Sequence, residues 1–389
     1  MKVLYFANHS TITGANLSLI ALMQNMQKRG AVCKLVLSNK GPIEQVLLTN
    51  EIDYSIIKTY LRVLPKRDTK NALKLGKSAL KYCITKMNEK KALQVMKEFR
   101  PDIVHINTIS ADLGFRSAKN LNIPVVWHIR ELVEEDHGYV FINKREVRRE
   151  LQASDRIIAI SDSVYNKFSA FAGSKNMVRI YNGVDTQYYS DAGHRPFKNE
   201  EIVFTIAGRI KESKGFEEAI DAVGILINEY HLEKVILRIA GDCQNQKYLD
   251  TLKNKTKELN IENNVRFIGF QSDMAQVWRE TDIALVCSRA EAFGRVTIEA
   301  MLCGALVIGA DTMGTKELII DGEYGFLYKQ GNPASLAAVC YSAIAQKEKS
   351  AEIVNKAIVY AGTEFSAEQN ANNIYDTYCE ILKQRALHK

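Results

Sequence analysis

The chain of 389 residues alternates short apolar runs with longer amphipathic stretches. Several of the short runs are apolar at every position, which is typical of strands buried on both faces of a parallel sheet. The alternation therefore predicts βαβ units. In the first half of the chain it predicts strands near 2–6, 32–37, 103–106, 124–128, 156–160 and 177–180, with helices near 15–29, 110–121 and 161–170.

A second series of the same kind follows Asn182-Gly183, a dipeptide that favours turns. The polar segment 186–200 has the composition of a linker, and the tail from about 333 is predicted to be mostly helical. The strands of this series are predicted near 202–207, 235–240, 265–268, 283–287 and 306–309. We therefore expect an α/β fold with two Rossmann-like, doubly wound parallel-sheet domains that face a cleft. Their predicted bounds are 1–188 and 189–365, with a C-terminal helix over 366–389 that packs back toward the first domain.

The composition is that of a globular protein, with 46% hydrophobic and 25% charged residues. Seven cysteines are scattered without a C-x-x-C pair, which argues against a disulfide framework or a zinc site and fits a reducing compartment. The apolar run at the N-terminus is too short for a signal peptide, and no uncharged apolar stretch approaches the roughly 20 residues of a membrane span. We expect a cytoplasmic protein that is soluble or at most peripheral to a membrane.

The formal charge of +7 is concentrated in one segment. Between Lys58 and Arg100, 13 Lys and Arg residues stand against three acidic residues, a local charge of +10. A helix within 69–87 would place four lysines in one stripe beside an apolar stripe, which is typical of binding to an anionic membrane surface. A solvated lysine face is the alternative, and nucleic acid is not an expected partner because the segment lacks interleaved aromatic residues. The lysine stripe is Lys70, Lys74, Lys77 and Lys81, and the apolar stripe is Leu73, Gly76, Leu80, Ile84 and Met87.

Two carboxylates and a glycine mark the predicted strand end near Cys287. Glu291 and Glu299 frame a segment in which Phe293-Gly294 opens a helix. The backbone N–H groups in the first turn of a helix lack internal partners and carry partial positive charge, so they suit a phosphate or a polar sugar. A capping carboxylate followed by a solvated helical glutamate is the alternative interpretation.

A basic loop bounded by Gly208 and Gly215 directly follows the predicted strand 202–207. Its Arg209 can bind two phosphate oxygens at once, and its Lys214 supplies a mobile point charge, so the loop suits a diphosphate. The loop lacks the Gly-Lys-Ser/Thr ending of a Walker A motif. Taken alone it could also be an exposed basic turn.

Together these motifs resemble the retaining, family-four glycosyltransferases of GT-B architecture (glycosyl transferases group 1). The resemblance covers nearly the whole chain and is densest from 181 to 328. The Arg130-Glu131 pair after His128 is similar to the subset that builds capsular polysaccharides and exopolysaccharides. Many relatives have Gly-Gly-Ala-Glu where this chain has Thr-Gly-Ala-Asn at 13–16. The matching pieces are 13–15, His128, 182–185, 208–215, 267–269, 291–299, 314–319 and 322–325.

The resemblance implies roles for individual residues. The first domain would bind the acceptor and the second the nucleotide sugar. Catalytic roles would belong to His128, Glu291, Arg209 and Lys214. Acceptor contacts would come from Thr13, Asn16, Arg130 and Glu131. Donor contacts would come from Gly14, Gly208, Arg209, Lys214, Ile268, Gly269, Glu291, Ala292, Phe293, Gly294, Thr297 and Glu299.

The implied reaction is transfer from a nucleotide-diphosphate sugar, with a UDP-sugar as the expected co-substrate, to a glycan or lipid-linked glycan. The acceptor would attack the sugar on the same face from which the phosphate departs, and this needs no enzyme nucleophile. A retaining glycosidase, in contrast, uses one of its two carboxylates as a nucleophile. We expect no metal or other cofactor, because the sequence shows no convincing Asp-x-Asp at a strand end and two cations could replace a metal's charge. The expected location is the cytoplasm, and the inner face of the plasma membrane is the surface to which the protein could bind. A nucleotide-sugar epimerase or hydrolase, or a non-catalytic nucleotide-sugar-binding partner, remain as alternatives.

Overall fold

The computed structural model describes residues 1–191, 193 and 196–387. The chain divides into two compact units, the first formed by 1–183 together with the segment that begins at Ala367, and the second by Val184–Ser366. The predicted linker over 186–200 includes residues 192, 194 and 195, and the predicted C-terminal helix includes 388 and 389. Those five residues lie outside the described part of the chain.

A parallel sheet with helices packed against it forms the first unit. In the described chain this sheet has seven strands in the order β3-β2-β1-β5-β6-β8-β9, and β4 and β7 form a separate antiparallel pair. The elements are β1 (Lys2–Phe6), α1 (Gly14–Lys28), β2 (Val32–Leu37), α2 (Ile43–Thr49), β3 (Asp53–Ile56), β4 (Val63–Pro65), α3 (Ala72–Phe99), β5 (Ile103–Ile106), α4 (Phe115–Asn120), β6 (Val125–Ile129), β7 (Tyr139–Phe141), α5 (Lys144–Gln152), β8 (Arg156–Ala159), α6 (Asp162–Ala172) and β9 (Met177–Arg179).

The second unit repeats this plan. Its described strands form a six-stranded parallel sheet in the order β12-β11-β10-β13-β14-β15. The elements are β10 (Ile202–Ala207), α7 (Phe216–Asn228), β11 (Val235–Ala240), α8 (Gln246–Glu258), β12 (Val265–Gly269), α9 (Met274–Arg279), β13 (Ile283–Val286), α10 (Arg295–Leu302), β14 (Leu306–Ala310), α11 (Met313–Leu318), β15 (Phe326–Tyr328), α12 (Pro333–Ala345) and α13 (Lys347–Glu364), after which the chain returns to the first unit as α14 (Ala367–Leu387).

Each sheet reverses its strand order at one point. In the first unit the reversal lies between β1 and β5, and in the second it lies between β10 and β13. Because the strands are parallel, the loops that follow the two strands at a reversal leave in opposite directions and open a crevice at their carboxyl ends. The predicted fold class, two parallel-sheet α/β domains, is confirmed.

The C-terminal helix α14 completes the core of the first unit. Its apolar residues Ala371, Ile374 and Tyr378 are fully buried in the same hydrophobic cluster as residues of β1, α1 and β2. Gly183 sits against the start of this helix, and a Cβ atom there would lie 2.4 Å from the Cα of Ala367. Glycine is therefore required at this point of the Asn-Gly-Val-Asp motif.

Several elements differ from the prediction. The helix predicted near 110–121 begins only at Phe115, because the preceding residues form a loop that ends at Gly114 with a φ of +93°. The helix predicted around the lysine stripe begins at Ala72, so Lys70 lies in the turn before α3 instead of on it. Four strands and two helices were not predicted, namely β3, β4, β7, β15, α2 and α5.

Candidate active site

The loop after β10 holds Lys214 over the end of β13. It leaves the sheet at Gly208, whose N–H donates to the carbonyl of Ala240 at 3.0 Å. It then forms a short 3₁₀ turn and ends at Gly215, which has a φ of +72°. A Cβ atom at Gly215 would lie 2.2 Å from the carbonyl oxygen of Cys287, so this loop can lie against β13 only because residue 215 is glycine.

Lys214 contacts Glu291 at the point where the second sheet reverses. Its ammonium donates to the Oε1 atom of Glu291, and the Ser288 hydroxyl donates to the same oxygen at 2.7 Å. Burial opposes the ionisation of Glu291, but Lys214 and Ser288 outweigh it and hold the pKa of this carboxyl below its ordinary value. The structure thus brings together one predicted phosphate-binding cation and one predicted sugar-binding carboxylate.

Arg209 is exposed on the same loop, directly after Gly208 at the end of β10.

The segment from Glu291 to Gly294 is fixed by the start of α11. The N–H of Gly314 donates to the carbonyl of Glu291 at 3.1 Å, and a Cβ atom at Gly314 would lie 2.8 Å from that same oxygen. Ala292 and Phe293 are buried, and the ring of Phe293 packs edge-on against Phe365 at 5.8 Å. This packing presents the backbone of the segment at the N-terminus of α10.

Gly294 and Thr297 form the first turn of α10. Gly294 has a φ of +91°, and its carbonyl accepts from the N–H of Thr297 at 3.0 Å. The Thr297 hydroxyl is fully buried and has no hydrogen-bond partner among the described residues. An unpaired buried hydroxyl beside a helix N-terminus is a candidate for contact with a phosphate or a sugar.

Glu299 lies further along α10 and does not share the Lys214 contact. Its carboxylate accepts from Arg295 at 3.1 Å, and it also pairs with the phenol of Tyr189. Only 7% of Glu299 is exposed. A ribose hydroxyl would therefore share this carboxylate with two groups of the chain itself.

The end of β12 offers an aromatic surface that was not predicted. Ile268 is half-buried, and Gly269 is exposed with a φ of +67°. The carbonyl of Gly269 accepts from the N–H of Gly241 at 2.8 Å, which fixes the end of this strand. The next residue, Phe270, is 75% exposed. An aromatic residue directly after a strand-terminal glycine is the sequence signal that could have identified it.

In the first unit, His128 and Arg130 are buried at the end of β6. His128 is fully buried, and its Nδ1 atom lies 3.2 Å from Nε2 of His105. The Arg130 guanidinium donates to Asn107 at 2.6 Å and to Asn182, and its Nη2 atom lies 3.3 Å from His128 Nδ1. Arg130 thus connects the predicted catalytic histidine to the Asn-Gly-Val-Asp motif, and its contacts favour a positioning role over the predicted acceptor contact.

Glu131 is engaged by its own chain. Its Oε1 atom accepts from the Thr108 hydroxyl, from the N–H of Ile109 and from both the N–H and the hydroxyl of Ser110, while Oε2 accepts from the N–H of Arg130. A carboxylate with this many donors organises the loop after β5. The geometry therefore favours a positioning role for Glu131 over the predicted acceptor contact.

Asn16 has a similar role at the start of α1. It is 1% exposed, and its amide donates to the carbonyls of His9 and Thr11 at 3.0 and 2.9 Å. It therefore shapes the loop after β1 and has little surface left for an acceptor. Thr13 and Gly14 precede it, and Gly14 is exposed where the N–H groups of α1 begin.

A group of three carboxylates lies beneath α3. One oxygen each of Asp112, Glu146 and Glu150 lies close enough to the others to hold a metal ion. The Nζ atom of Lys86 already lies 2.5 Å from Asp112, 2.9 Å from Glu146 and 3.8 Å from Glu150, and Arg62 also donates to Glu150. Arg116 pairs with Glu146 as a third cation. Three cations thus face three carboxylates, and the cluster serves as an ion network that anchors α3.

Comparisons with known proteins agree with this architecture. The model of the family "Glycosyltransferase Family 4" matches residues 12–188, and that of "Glycosyl transferases group 1" matches residues 191–359. The crystal structure of Anabaena Alr3699/HepE in complex with UDP and glucose is 25% identical with a TM-score of 0.80, over 98% of this chain and 100% of that one.

Two curated relatives match this chain over only part of its length. The chain is 24% identical to N-acetyl-alpha-D-glucosaminyl L-malate synthase of Bacillus anthracis over 61% of its own length, and 26% identical to glycogen synthase of Mycobacterium tuberculosis over 65%. It spans less than two thirds of these relatives, 62% and 63% of their lengths. The two family models nevertheless follow one another along most of the sequence, each on one parallel-sheet unit. The chain therefore belongs to the family-four, group 1 glycosyltransferases and has their GT-B fold.

Proposed function

We propose that this chain transfers a sugar from a nucleoside-diphosphate donor, most simply a UDP-sugar, to a glycan acceptor. The contact between Lys214 and Glu291 at the reversal of the second sheet carries the proposal. It joins a cation suited to a diphosphate with a carboxylate suited to sugar hydroxyls, at the place where open α/β sheets bind ligands. The choice of UDP is supported by the similar Anabaena protein, whose crystal structures contain UDP and UDP-glucose.

Lys214 and Arg209 would act on the leaving group. Negative charge grows on the diphosphate as its bond to the sugar breaks, so a cation fixed there stabilises the transition state more than the ground state. Without a donor, Glu291 balances the charge of Lys214. A bound diphosphate would take over the ammonium of Lys214, and the sugar hydroxyls would take over the carboxylate of Glu291. The unpaired Thr297 hydroxyl and the first turn of α10 would add neutral donors.

We propose that the reaction retains the anomeric configuration and needs no metal. A phosphate oxygen of the leaving group would accept the proton of the attacking hydroxyl on the same face of the sugar. Activity should then be unchanged in EDTA. A loss of activity in EDTA that Mn²⁺ or Mg²⁺ restores would contradict this part of the proposal.

A donor screen followed by a turnover assay tests the function. A nucleotide at 100 times its dissociation constant should raise stability by about 2.7 kcal/mol, which a thermal-shift measurement detects. Turnover of the matching UDP-sugar should require an added glycan acceptor. Turnover without any acceptor would favour the epimerase or hydrolase alternative, and binding without turnover would favour a non-catalytic partner.

We further propose that the acceptor is a lipid-linked glycan of surface-polysaccharide assembly, reached at the inner face of the membrane. Helix α3 supports this proposal because its apolar residues lie on two opposite faces. One face, which includes Tyr82, Ala92 and Met96, is buried in the first unit. The other is exposed and formed by Leu73, Leu80, Ile84 and Met87, with exposed fractions of 86%, 68%, 37% and 74%.

The surroundings of this apolar face are basic. Lys77 and Lys81 are exposed beside it, whereas Lys74 is paired with Asp68 at 2.7 Å. A lysine near an anionic lipid surface contributes about 1 kcal/mol, and apolar side chains that enter the headgroup region add to this. No helix among the described residues is both long and apolar enough to cross a bilayer.

Vesicle sedimentation tests the membrane proposal. Vesicles with an anionic lipid should retain the protein at low salt, and a Leu80→Ser/Met87→Ser variant should be released. The Val359→Ser variant is the matched control, since Val359 is 66% exposed on the second unit. Equal retention of the two variants, or no retention of the wild type, would contradict the proposal.

A further inference from the structure

His128 and His105 lie side by side in the interior of the first unit. Both side chains are fully buried, their rings are 5.2 Å apart, and Nδ1 of His128 faces Nε2 of His105 at 3.2 Å. On its other side, Nδ1 of His105 lies 2.6 Å from the hydroxyl of Tyr378, which α14 contributes. Three side chains from distant parts of the sequence thus form one continuous row.

The assignment of donors in this row starts from one neighbour. The guanidinium of Arg130 carries only donors, and its Nη2 atom lies 3.3 Å from Nδ1 of His128. At 3.3 Å this contact favours an acceptor at His128 Nδ1 without fixing it alone. The contact from His105 completes the assignment when Nε2 of His105 carries the proton. His105 Nδ1 is then an acceptor too, and the Tyr378 hydroxyl donates to it. One arrangement of protons satisfies all three contacts.

This arrangement leaves the proton of His128 on Nε2. The Nε2 atom is buried and has no hydrogen-bond partner among the described residues. Burial and the nearby Arg130 guanidinium lower the pKa values of both histidines well below the ordinary value, so the rings are neutral near pH 7. A buried donor without a partner is destabilising, and such groups are retained where a ligand or a reaction uses them.

We propose that His105 and Tyr378 are positioning residues that fix the Nε2–H tautomer of His128, so that His128 can donate a hydrogen bond to an oxygen of a bound sugar. The inference rests on the proposed transferase function for the identity of that oxygen. The tautomer itself follows from the contacts of His105 and Tyr378, together with Arg130, without reference to any substrate. The helix that ends the chain therefore sets the hydrogen-bonding state of a residue at the end of β6.

The tautomer can be measured without any substrate. In ¹⁵N-histidine-labelled wild-type protein near pH 7.5, two-bond ¹H–¹⁵N correlation spectra should show a protonated Nε2 and an unprotonated Nδ1 on His128. The Tyr378→Phe variant removes the donor to His105, so the Nε2–H population of His128 should fall. A protonated Nδ1 on His128 in the wild type, or an unchanged tautomer in Tyr378→Phe, would overturn the proposal.

Kinetics test the consequence. His105→Gln keeps an N–H donor near the position of Nε2, whereas His105→Leu removes it. We expect His105→Leu and Tyr378→Phe to lower kcat about tenfold with little change in KM for the donor, the size expected for the loss of one hydrogen bond. His105→Gln should stay near the wild-type value. Tyr375→Phe, a change of the same type on the same helix, is the control and should leave kcat unchanged.

Equal kcat values for His105→Leu and His105→Gln would overturn the positioning role, and the two variants remain informative if Tyr378→Phe fails to fold. If the wild type transferred no sugar from any donor, the proposed function would fail. The spectra of the free protein would still decide the tautomer.

Discussion

A Cβ atom on Gly215 would lie 2.2 Å from the carbonyl oxygen of Cys287. This close approach connects the loop after β10 to the end of β13, and it carries Lys214 to within hydrogen-bonding reach of Glu291. The position of the candidate diphosphate-binding cation therefore depends on the absence of one methyl group.

Gly215→Ala should displace Lys214 and destabilise the second unit. The variant combines a φ of +72° with a direct clash, so it should cost clearly more than the roughly 1 kcal/mol of an unfavourable φ alone. Gly331→Ala is the matched control, because Gly331 has a φ of +74° but a Cβ atom added to it would meet no other atom within 4 Å. Thermal unfolding and nucleotide affinity measure the two effects. Equal losses in the two variants would show that the contact with Cys287 is unimportant.

Lys214→Ala should abolish most of the turnover. Loss of a charge that acts on the leaving group typically lowers kcat by about 10²–10³. It would also leave the carboxylate of Glu291, which is 14% exposed, without its cation. Lys316→Ala removes an exposed lysine paired with Asp311 in the same unit and should change kcat and stability little. Steady-state kinetics on folded variants would decide, and near-normal kcat in Lys214→Ala would count against the proposed role.

The Lys214–Glu291 pair should lose its stabilising effect in acid. The pKa of Glu291 in the folded protein lies below its ordinary value of 4.5, since Lys214 and Ser288 outweigh the effect of burial. Such a carboxyl group adds stability above its unfolded-state pKa, and this contribution is lost as the pH falls through the folded-state value. The difference in unfolding free energy between the wild type and Glu291→Gln should be constant near neutral pH and shrink below pH 4.5. Urea unfolding across this range measures it, and a difference independent of pH would contradict the ion pair.

Phe270→Ala should weaken nucleotide binding while leaving the fold intact. The ring is 75% exposed at the end of β12, where it can stack on a base. Stacking of an aromatic side chain on a base contributes about 1–3 kcal/mol, so the dissociation constant of UDP should rise roughly 5-fold to 150-fold. Phe270→Trp keeps an aromatic face and should bind like the wild type. Calorimetric titration with UDP measures the affinity of both variants. An affinity of Phe270→Ala equal to that of the wild type would exclude stacking.

The sequence predicted the central strands of both sheets because burial on two faces leaves a continuous apolar run, as in β1 and β14. The edge strand β3 was missed, since it begins with Asp53 and none of its residues is buried. The pair of β4 and β7 was missed because each strand has three residues and the partners are far apart in the sequence. Local pattern carries little information about such pairs.

The contact between Lys214 and Glu291 could be expected because both follow strands of one sheet, although 77 positions separate them. The hydrogen bonds by which Glu131 and Asn16 organise their own loops could not be expected from the sequence. Carboxylates and amides bind sugar hydroxyls and backbone N–H groups or carbonyls with the same chemistry, and only the fold decides which is within reach. The start of α3 depended on a similar detail, since Asn71 caps it by accepting from the N–H of Lys74.

The proximity of Gly183 to Ala367 has a consequence for how this chain can be divided. Just beyond these residues, Val184 pairs with Ser366, so the polypeptide enters and leaves the second unit at adjacent points. Residues 184–366 are thus an insertion whose two ends already meet, the arrangement that tolerates excision and circular permutation. A gene fragment for this insertion alone would encode the complete six-stranded sheet of the described chain, with Lys214, Glu291 and Phe270 on the same module.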